Sequence, residues 1–283
     1  MTVLEAIKLS TDFLERKSIP SARLSAEILL ADLLRLKRLD LYLKYDRPLS
    51  KSEIDSYREL ILRRSNGEPV QYIVGHTNFY GLEFFVTPSV LIPRNDTEEL
   101  VELVIMYLNS FSKPVNVLDI GTGSGNISVA IAHGCNHAEV TSIDISQEAI
   151  LIAKKNAELN NVTSRINFIC NDVENYDFEN KLFDVIVSNP PYIPLDEFSK
   201  LNTEVSKYEP RLALTDEGDG LKYFKIIASK SAQLLKNGGS IFFEVGYNQA
   251  TDVKNILLDN RFIDVSIIKD YSEINRFIHG IFK

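Results

Sequence analysis

Apolar residues recur at three- and four-residue steps from Val3 to about Arg64, at Val3, Ile7 and Leu14 and again at Leu24, Ile28 and Leu29. That spacing lines one face of a helix. Pro20 followed by Ser21 predicts the start of a second helix. A third begins at Ser50, where Ser50 and Glu53 have the spacing of a capping box ahead of the apolar stripe Ile54, Tyr57, Leu60 and Ile61. Residues 1–66 therefore read as a small helical domain. None of its side chains points to chemistry, which leaves two readings: a module that docks a partner, or a stabilising appendage.

Gly67, Pro69 and Gly75 break the helical period, and the runs Gln71 to Val74 and Phe79 to Val86, rich in aromatic and β-branched residues around Gly81, predict a β-hairpin linker over residues 67–92. Pro88 and Pro93 close it, and Asn95 or Asp96 is placed to cap a helix through Leu100, Leu103, Val104 and Leu108. After Pro114 the pattern alternates between short apolar runs and amphipathic stretches: Val115 to Ile120, Asn126 to His133, Glu139 to Ile143, Gln147 to Leu159, Ile166 to Cys170, Phe183 to Val187, Leu221 to Leu235 and Ser240 to Val245. Strands separated by helices specify a doubly wound, mostly parallel α/β sheet covered on both faces, here over residues 93–283. Two last runs, Phe262 to Lys269 and Arg276 to Phe282, bring the strand number to seven. Tyr271 to Asn275 is too short for a crossover helix, so the final strand should be antiparallel.

Composition narrows the function classes. The 283 residues hold 31 Lys and Arg against 39 Asp and Glu, a net charge of −8. That balance argues against a chain whose main task is to grip phosphate backbone, which needs clustered cations. Cys135 and Cys170 are too few for a disulfide framework and lack metal-binding spacing; both are expected to be reduced and buried. The N-terminal stretch Met1 to Ser10 interrupts its apolar residues with Glu5 and Lys8, unlike a signal peptide, and no segment approaches the roughly 20 apolar residues of a membrane span. A cytoplasmic protein without membrane contact is expected. His133 and His137 are four apart, but Gly134 between them should end the helix, so they read as solvated or capping histidines and no metal site is expected.

Val117-Leu118-Asp119-Ile120 runs into Gly121-Thr122-Gly123-Ser124-Gly125, an apolar strand entering a glycine-rich turn before a helix. Glycines there let the backbone approach a ligand closely. The alternative is a tight turn with no ligand. Asp144 closes the next strand, about 20 positions on, where a carboxylate grips ribose hydroxyls of NAD and of S-adenosylmethionine alike. The following strand ends in Asn171-Asp172-Val173. Asp172 could accept a hydrogen bond from an adenine amino group with Val173 covering the ring, or Asp172 could serve as a helix cap.

The fourth strand delivers Asn189-Pro190-Pro191-Tyr192, at the strand end where open α/β sheets bind ligands. Two prolines fix φ and remove two backbone donors, which leaves the Pro190 carbonyl with few local partners. The Asn189 side-chain oxygen is a second acceptor. Two convergent acceptors beside an aromatic ring suit a planar, conjugated NH2 group, whose delocalised lone pair must be held in line with an electrophilic methyl.

Taken together, Gly121 to Gly125, Asp144 and Asn189 to Tyr192 resemble a class I S-adenosylmethionine-dependent methyltransferase of the amino-methylating branch, with a Rossmann-like sheet. The runs Gly67 to Gly75, Phe79 to Leu82, Val90 to Arg94 and Phe243 to Gln249 further resemble the peptide chain release factor glutamine methyltransferase family, over nearly the whole chain. The resemblance implies methyl transfer from S-adenosylmethionine, leaving S-adenosylhomocysteine, to the glutamine of the Gly-Gly-Gln tripeptide in class-1 release factors, by a monomer with no metal and no direct nucleic-acid contact. It implies that Gly121, Thr122, Gly123, Ser124 and Gly125 hold the methionine moiety, Asp144 the ribose, and Asp172 and Val173 the adenine. Asn189, beside the cofactor, would with Pro190, Pro191 and Tyr192 receive the substrate amide, with Asn189, Pro190 and Tyr192 catalytic. The family often carries proline and glutamate where this chain has Asn95 and Asp96, and glycine and an aromatic where it has Asn171 and Val173. Rival readings are a methyltransferase for a ribosomal-protein glutamine, a nucleic-acid adenine methyltransferase, and an NAD-dependent dehydrogenase, which gives Asn189 to Tyr192 no role.

Overall fold

The computed structural model describes residues 1–283, which divide into two compact units, Met1–His76 with Asn202–Tyr208, and Thr77–Leu201 with Glu209–Lys283. The first unit is helical: α1 (Val3–Arg16), α2 (Ala22–Leu33), α3 (Arg38–Leu43), α4 (Lys51–Ser65) and α5 (Val70–Val74). Val3, Leu14, Leu29, Leu30, Leu41, Tyr57 and Ile61 form its core. The capping box at α4 is present, with Ser50 Oγ accepting from the Glu53 N–H and Glu53 Oε2 accepting from the Ser50 N–H at 2.8 Å. α2 starts where expected, with Ser21 at its N-cap position, although Ser21 sits in the left-handed region and makes no capping bond. Arg64 is buried in this unit, donating to Ser25 Oγ, the Glu68 carbonyl and Glu204. Its bond to Glu204, with that of Tyr208 to the Asn66 carbonyl, ties the helical segment Thr203–Tyr208 to the unit although it lies far along the chain.

Gln71 to Val74, expected as strand, is helical. Pro69 starts that turn with a compatible φ, Gly75 ends it at φ 82°, its N–H bonded to the Gln71 carbonyl, and burial of Val70 and Ile73 in the core outweighs the weak β preference of Val and Ile. The hairpin is made instead by β1 (His76–Phe79) and β2 (Leu82–Phe85). Its two turn residues, Tyr80 and Gly81, both have positive φ, as a turn that matches strand twist requires.

In the second unit α6 (Asn95–Leu108) precedes a sheet built from β3 (Val115–Ile120), β4 (Ala138–Asp144), β5 (Ile166–Cys170), β6 (Phe183–Ser188), β7 (Leu235–Glu244), β8 (Phe262–Lys269) and β9 (Asn275–Phe282). Asn95 lies within α6 and Arg94 takes the cap position without a side-chain bond, so the expected Asn95 or Asp96 cap is absent; Asp96 and Glu98 favour the helix start through the dipole instead. The strand order is β5-β4-β3-β6-β7-β9-β8. The first five are parallel, and β9 runs antiparallel to both β7 and β8.

Helices α7 (Asn126–Gly134), α8 (Gln147–Leu159), α9 (Lys222–Leu234) and α10 (Ala250–Asp259) cover the sheet. Side chains alternate across each strand, so Val117, Val185, Val187 and Phe242 pack with α6, α7 and the hairpin pair Phe79 and Phe84. Leu118, Ile186, Ile241 and Phe243 face α9 and α10. Cys135 is buried but Cys170 is exposed, contrary to expectation, because β5 is an edge strand and Cys170 is its last residue. No helix is long and apolar enough to cross a membrane.

Candidate active site

The order of strands reverses at β3, whose neighbours β4 and β6 carry the chain in opposite directions across the sheet; a crevice opens beyond the strand ends at such a point. Ile120 pairs with Ser188 and with Ile143, so Gly121, Asn189 and Asp144 emerge side by side. The glycine loop has positive φ at Gly121, Gly123 and Gly125. A Cβ at Gly121 or Gly123 would meet no atom of the protein within 4 Å; it would stand in the cleft both residues line. At Gly125 the constraint is internal, for a Cβ there would lie 2.9 Å from the Cβ of Ala153, which lets α7 pack closely on α8.

Asp119, fully buried on β3, organises the loop from below. Its Oδ2 accepts from the Thr122 and Ser128 hydroxyls at 2.8 and 2.5 Å, and Ser128 and Ser142 share a further hydrogen bond. Burial pushes the Asp119 carboxyl up to about 6 against these donors. Its Oδ1 is buried without a partner. Asp144 accepts from the Gly123 N–H through Oδ2 at 2.8 Å and from the Ser146 N–H through Oδ1 at 2.9 Å; burial holds its carboxyl above the ordinary range despite those bonds. Asn156 on α8 supports the loop from the side, its Nδ2 donating to the Ser124 and Phe85 carbonyls while its Oδ1 accepts the Phe85 N–H.

The cleft is lined by Gly121, Thr122, Gly123, Ser124, Asp144, Asp172, Val173, Asn189, Pro190 and Pro191 among others, which unites most of the positions singled out in the sequence. Thr122 contributes backbone, because its hydroxyl is turned inward to Asp119. Asp172 lines the cleft, and its Oδ1 accepts the Glu174 N–H at 2.9 Å; that bond closes a turn, and no helix starts there, so the helix cap expected as the alternative is absent. Two positions singled out in the sequence, Gly125 and Tyr192, lie outside the lining. Gly125 is turned against α8. Tyr192 packs against the core beneath the sheet's end, with its hydroxyl 3.4 Å from Glu244 Oε1 and its pKa raised by burial and by that carboxylate.

Beyond Ser188 the chain enters Asn189-Pro190-Pro191-Tyr192. No donor of the protein reaches the Pro190 carbonyl. The Tyr192 carbonyl is held by Gln249 Nε2 at 2.8 Å, and Gln249 also bonds the Gly220 carbonyl and the Gly246 N–H. Because Ser188 pairs with Phe243, Asn189, the first residue past β6, lies level with Glu244, the last residue of β7. Asn189 Nδ2 donates to Thr97 Oγ1 at 3.2 Å, and Thr97 Oγ1 donates to Glu244 Oε2 at 2.7 Å. Glu244 is 2% exposed, and burial pushes it up to about 7, opposed by the Thr97 bond and by Arg276. Arg94, also at the cleft, is clamped by both oxygens of Glu209 at 2.7 Å.

The sequence reading assigned no role to Asp119, Thr97, Glu244 or Asn156. A signal existed for two of them: Asp119 and Glu244 are lone carboxylates inside apolar strand runs, where an unpaired charge is costly and a partner is implied. His133 and His137 join no cluster able to hold a metal.

Residues 5–75 match the family described as the PrmC N-terminal domain, and residues 111–256 match a methyltransferase domain family. The chain is 42% identical to the release factor glutamine methyltransferase of Fusobacterium nucleatum, over 97% of this chain and 77% of that one. It is 41% identical to the protein of the same name from Chlorobaculum tepidum, over 97% and 95%. A solved 16S rRNA N2 G1207 methyltransferase of T. thermophilus, in complex with AdoMet and guanosine, superposes with a TM-score of 0.53 at 20% identity, covering 74% of this chain and 50% of that one; it shares the fold.

Proposed function

The chain belongs to the release factor glutamine methyltransferase family, and from that premise we propose that it methylates the side-chain amide nitrogen of the glutamine in the Gly-Gly-Gln motif of class-1 peptide chain release factors, using S-adenosylmethionine. The observation that carries the reading is a cleft with two distinct ends. One end is a glycine cradle that side chains would fill, beside the Asp144 carboxylate and above the orphaned Asp119 Oδ1. These features fit a ligand with an amino-acid moiety and a ribose: the backbone of the glycine loop, held from below by Asp119, for the former, Asp144 for the latter, and the apolar Val173 beside Asp172 for an adenine. When bound, S-adenosylmethionine supplies an electrophilic methyl on a sulfonium that leaves as a neutral thioether.

The other end presents two acceptors, Asn189 Oδ1 and the Pro190 carbonyl. Both would accept the hydrogens of the glutamine amide, orient its nitrogen and favour localisation of its lone pair, so the gain is in positioning and electrostatics rather than in acid or base strength. Tyr192, turned from the cleft, acts in this reading through the shape of the tetrapeptide.

The exposed apolar residues Leu39, Tyr42 and Leu43 of α3 and nearby Tyr45, between 50% and 80% accessible, support residues 1–66 as the part that docks the release factor, with residues 67–92 as linker and 93–283 as the methyltransferase part. The chain acts as a monomer in the cytoplasm, without direct nucleic-acid contact. The test is to incubate the protein with methyl-labelled cofactor and, separately, intact release factor, ribosomal proteins and DNA. Label in release factor is expected; label in DNA or in a ribosomal protein instead would overturn the substrate assignment.

A further inference from the structure

We propose that Thr97 and Glu244 are positioning residues that fix which end of the Asn189 side-chain amide faces the substrate. The inference rests on the reading of Asn189 Oδ1 as a substrate acceptor and says what holds it in that role.

The two ends of an asparagine amide are nearly identical in shape and opposite in hydrogen bonding. Rotated by half a turn, Asn189 would present NH2 to the NH2 of the substrate, and an acceptor would become a donor. Nothing in the size of the site prevents that rotation; only its partners can. Thr97 Oγ1 lies 3.2 Å from Asn189 Nδ2 and 2.7 Å from Glu244 Oε2. A hydroxyl has one hydrogen. With Glu244 ionised, that hydrogen goes to the carboxylate, which has none to give, and Thr97 is left able only to accept. The amide must then turn its nitrogen to Thr97 and its oxygen to the cleft. Thr97 and Glu244 are each 2% exposed, so water does not substitute for either. Tyr192, whose hydroxyl donates to the other Glu244 oxygen, completes the acceptor-only state of the carboxylate.

The same geometry has a reversed form. A protonated Glu244 can donate to Thr97, whose hydrogen then turns to Asn189 and draws the amide oxygen away from the cleft. Glu244 faces Thr97 and Asp96 from α6, Tyr192 after β6, and Arg276 on β9, which itself lies 3.6 Å from Asp96 and 3.5 Å from Asp270; Arg94, just before α6, acts on Tyr192. In this setting burial raises the carboxyl to about 7. The productive orientation belongs to the ionised form, so turnover should fall as pH drops through that value.

The experiment uses the full chain with intact release factor as substrate, and measures kcat, KM and adenosylhomocysteine affinity for Thr97→Val, Thr97→Ser, Glu244→Gln and, as reference, Asn189→Ala. Thr97→Val, close in shape, should lower kcat by about 10- to 100-fold, less than deletion of the acceptor itself, with KM and cofactor affinity within about threefold. Thr97→Ser, which restores the hydroxyl, should recover most of that loss. Wild-type kcat at saturating cofactor should rise from about pH 6 to about pH 8, and Glu244→Gln should lower kcat and abolish the rise. A merely structural role would not move that limb. If Asn189→Ala is impaired while Thr97→Val turns over normally, the relay is wrong and the role of Asn189 stands. If Asn189→Ala itself is normal, both fall. Should Thr97→Val not fold, a pH limb retained in Glu244→Gln overturns the proposal and its loss supports it.

Discussion

Replacing Asp144 by alanine should separate binding of the cofactor from its use. In the structure Asp144 ends β4 at the cleft, with one oxygen on the Gly123 N–H and the other on the Ser146 N–H, at 2.8 and 2.9 Å. Each carboxylate oxygen keeps accepting capacity toward a ribose hydroxyl. A hydrogen bond to a charged group contributes about 1.5 to 3 kcal/mol, and two that share one carboxylate add less than their sum, so a loss of about 3 to 4 kcal/mol is expected. At 1.4 kcal/mol per factor of ten, that is roughly 10² to 10³ in Kd. Loss of the tie to Gly123 frees the loop and acts in the same direction. Calorimetric titration with adenosylhomocysteine reads the affinity directly. The rate at saturating cofactor should fall less than about tenfold, since a ribose grip is made equally in ground and transition states. An Asp144→Ala protein that binds adenosylhomocysteine within about threefold of wild type would refute the assignment.

Asn189→Ala should behave oppositely, keeping cofactor affinity and losing about 10² to 10³ in turnover in the methyl-transfer assay, the cost of one positioned transition-state partner. Asn156→Ala removes three hydrogen bonds and strands the Phe85 N–H and the Ser124 carbonyl; a destabilisation of about 3 kcal/mol by urea titration is expected, and less than about 1 would mean that water replaces the side chain. Glu244 and Asp119 have folded pKa values of about 7 and about 6, above their ordinary 4.5 and 3.8, so the folded state binds these protons more tightly. Their destabilisation is absent below the ordinary values and grows as pH rises through the window, by about 3 kcal/mol for each. The urea midpoint should therefore fall from pH ~5 to pH ~8, and Glu244→Gln should flatten that slope. Leu39→Asp with Leu43→Asp, both on the exposed face of α3, should raise KM for intact release factor about tenfold or more and leave cofactor affinity unchanged, as expected for docking residues; an unchanged KM would remove α3 from the docking surface.

The bounds of β3, β5, β8 and α8 follow the apolar pattern residue for residue, because each is long enough, or apolar enough, for burial to impose its period. Where that condition fails, the pattern is silent. Helix α3 buries only Leu41 among its six residues, too few to repeat, whereas α10 does keep three- and four-residue steps at Ala250, Val253 and Leu257 and was passed over. At α5 the local preference points the wrong way and tertiary burial overrides it. The candidate site divides along the same line. Gly121 to Gly125, Asp144 and Asn189 to Tyr192 are legible because each is contiguous or follows a strand end. Thr97, Asn189 and Glu244 are not legible as a group: Asn189 stands 92 residues from Thr97, and Thr97 stands 147 from Glu244. What joins them is the pairing of Ser188 with Phe243, which sets Asn189, just past β6, level with Glu244, the last residue of β7, with Thr97 of α6 alongside. A polar residue there is tolerated only if every hydrogen and lone pair finds a partner. That requirement dictates the direction of the bonds, and the direction of the bonds decides whether Asn189 faces the cleft as an acceptor. In the proposed relay, the chemistry of the tetrapeptide depends on a carboxylate that never touches substrate, and on the sheet register that brings it there.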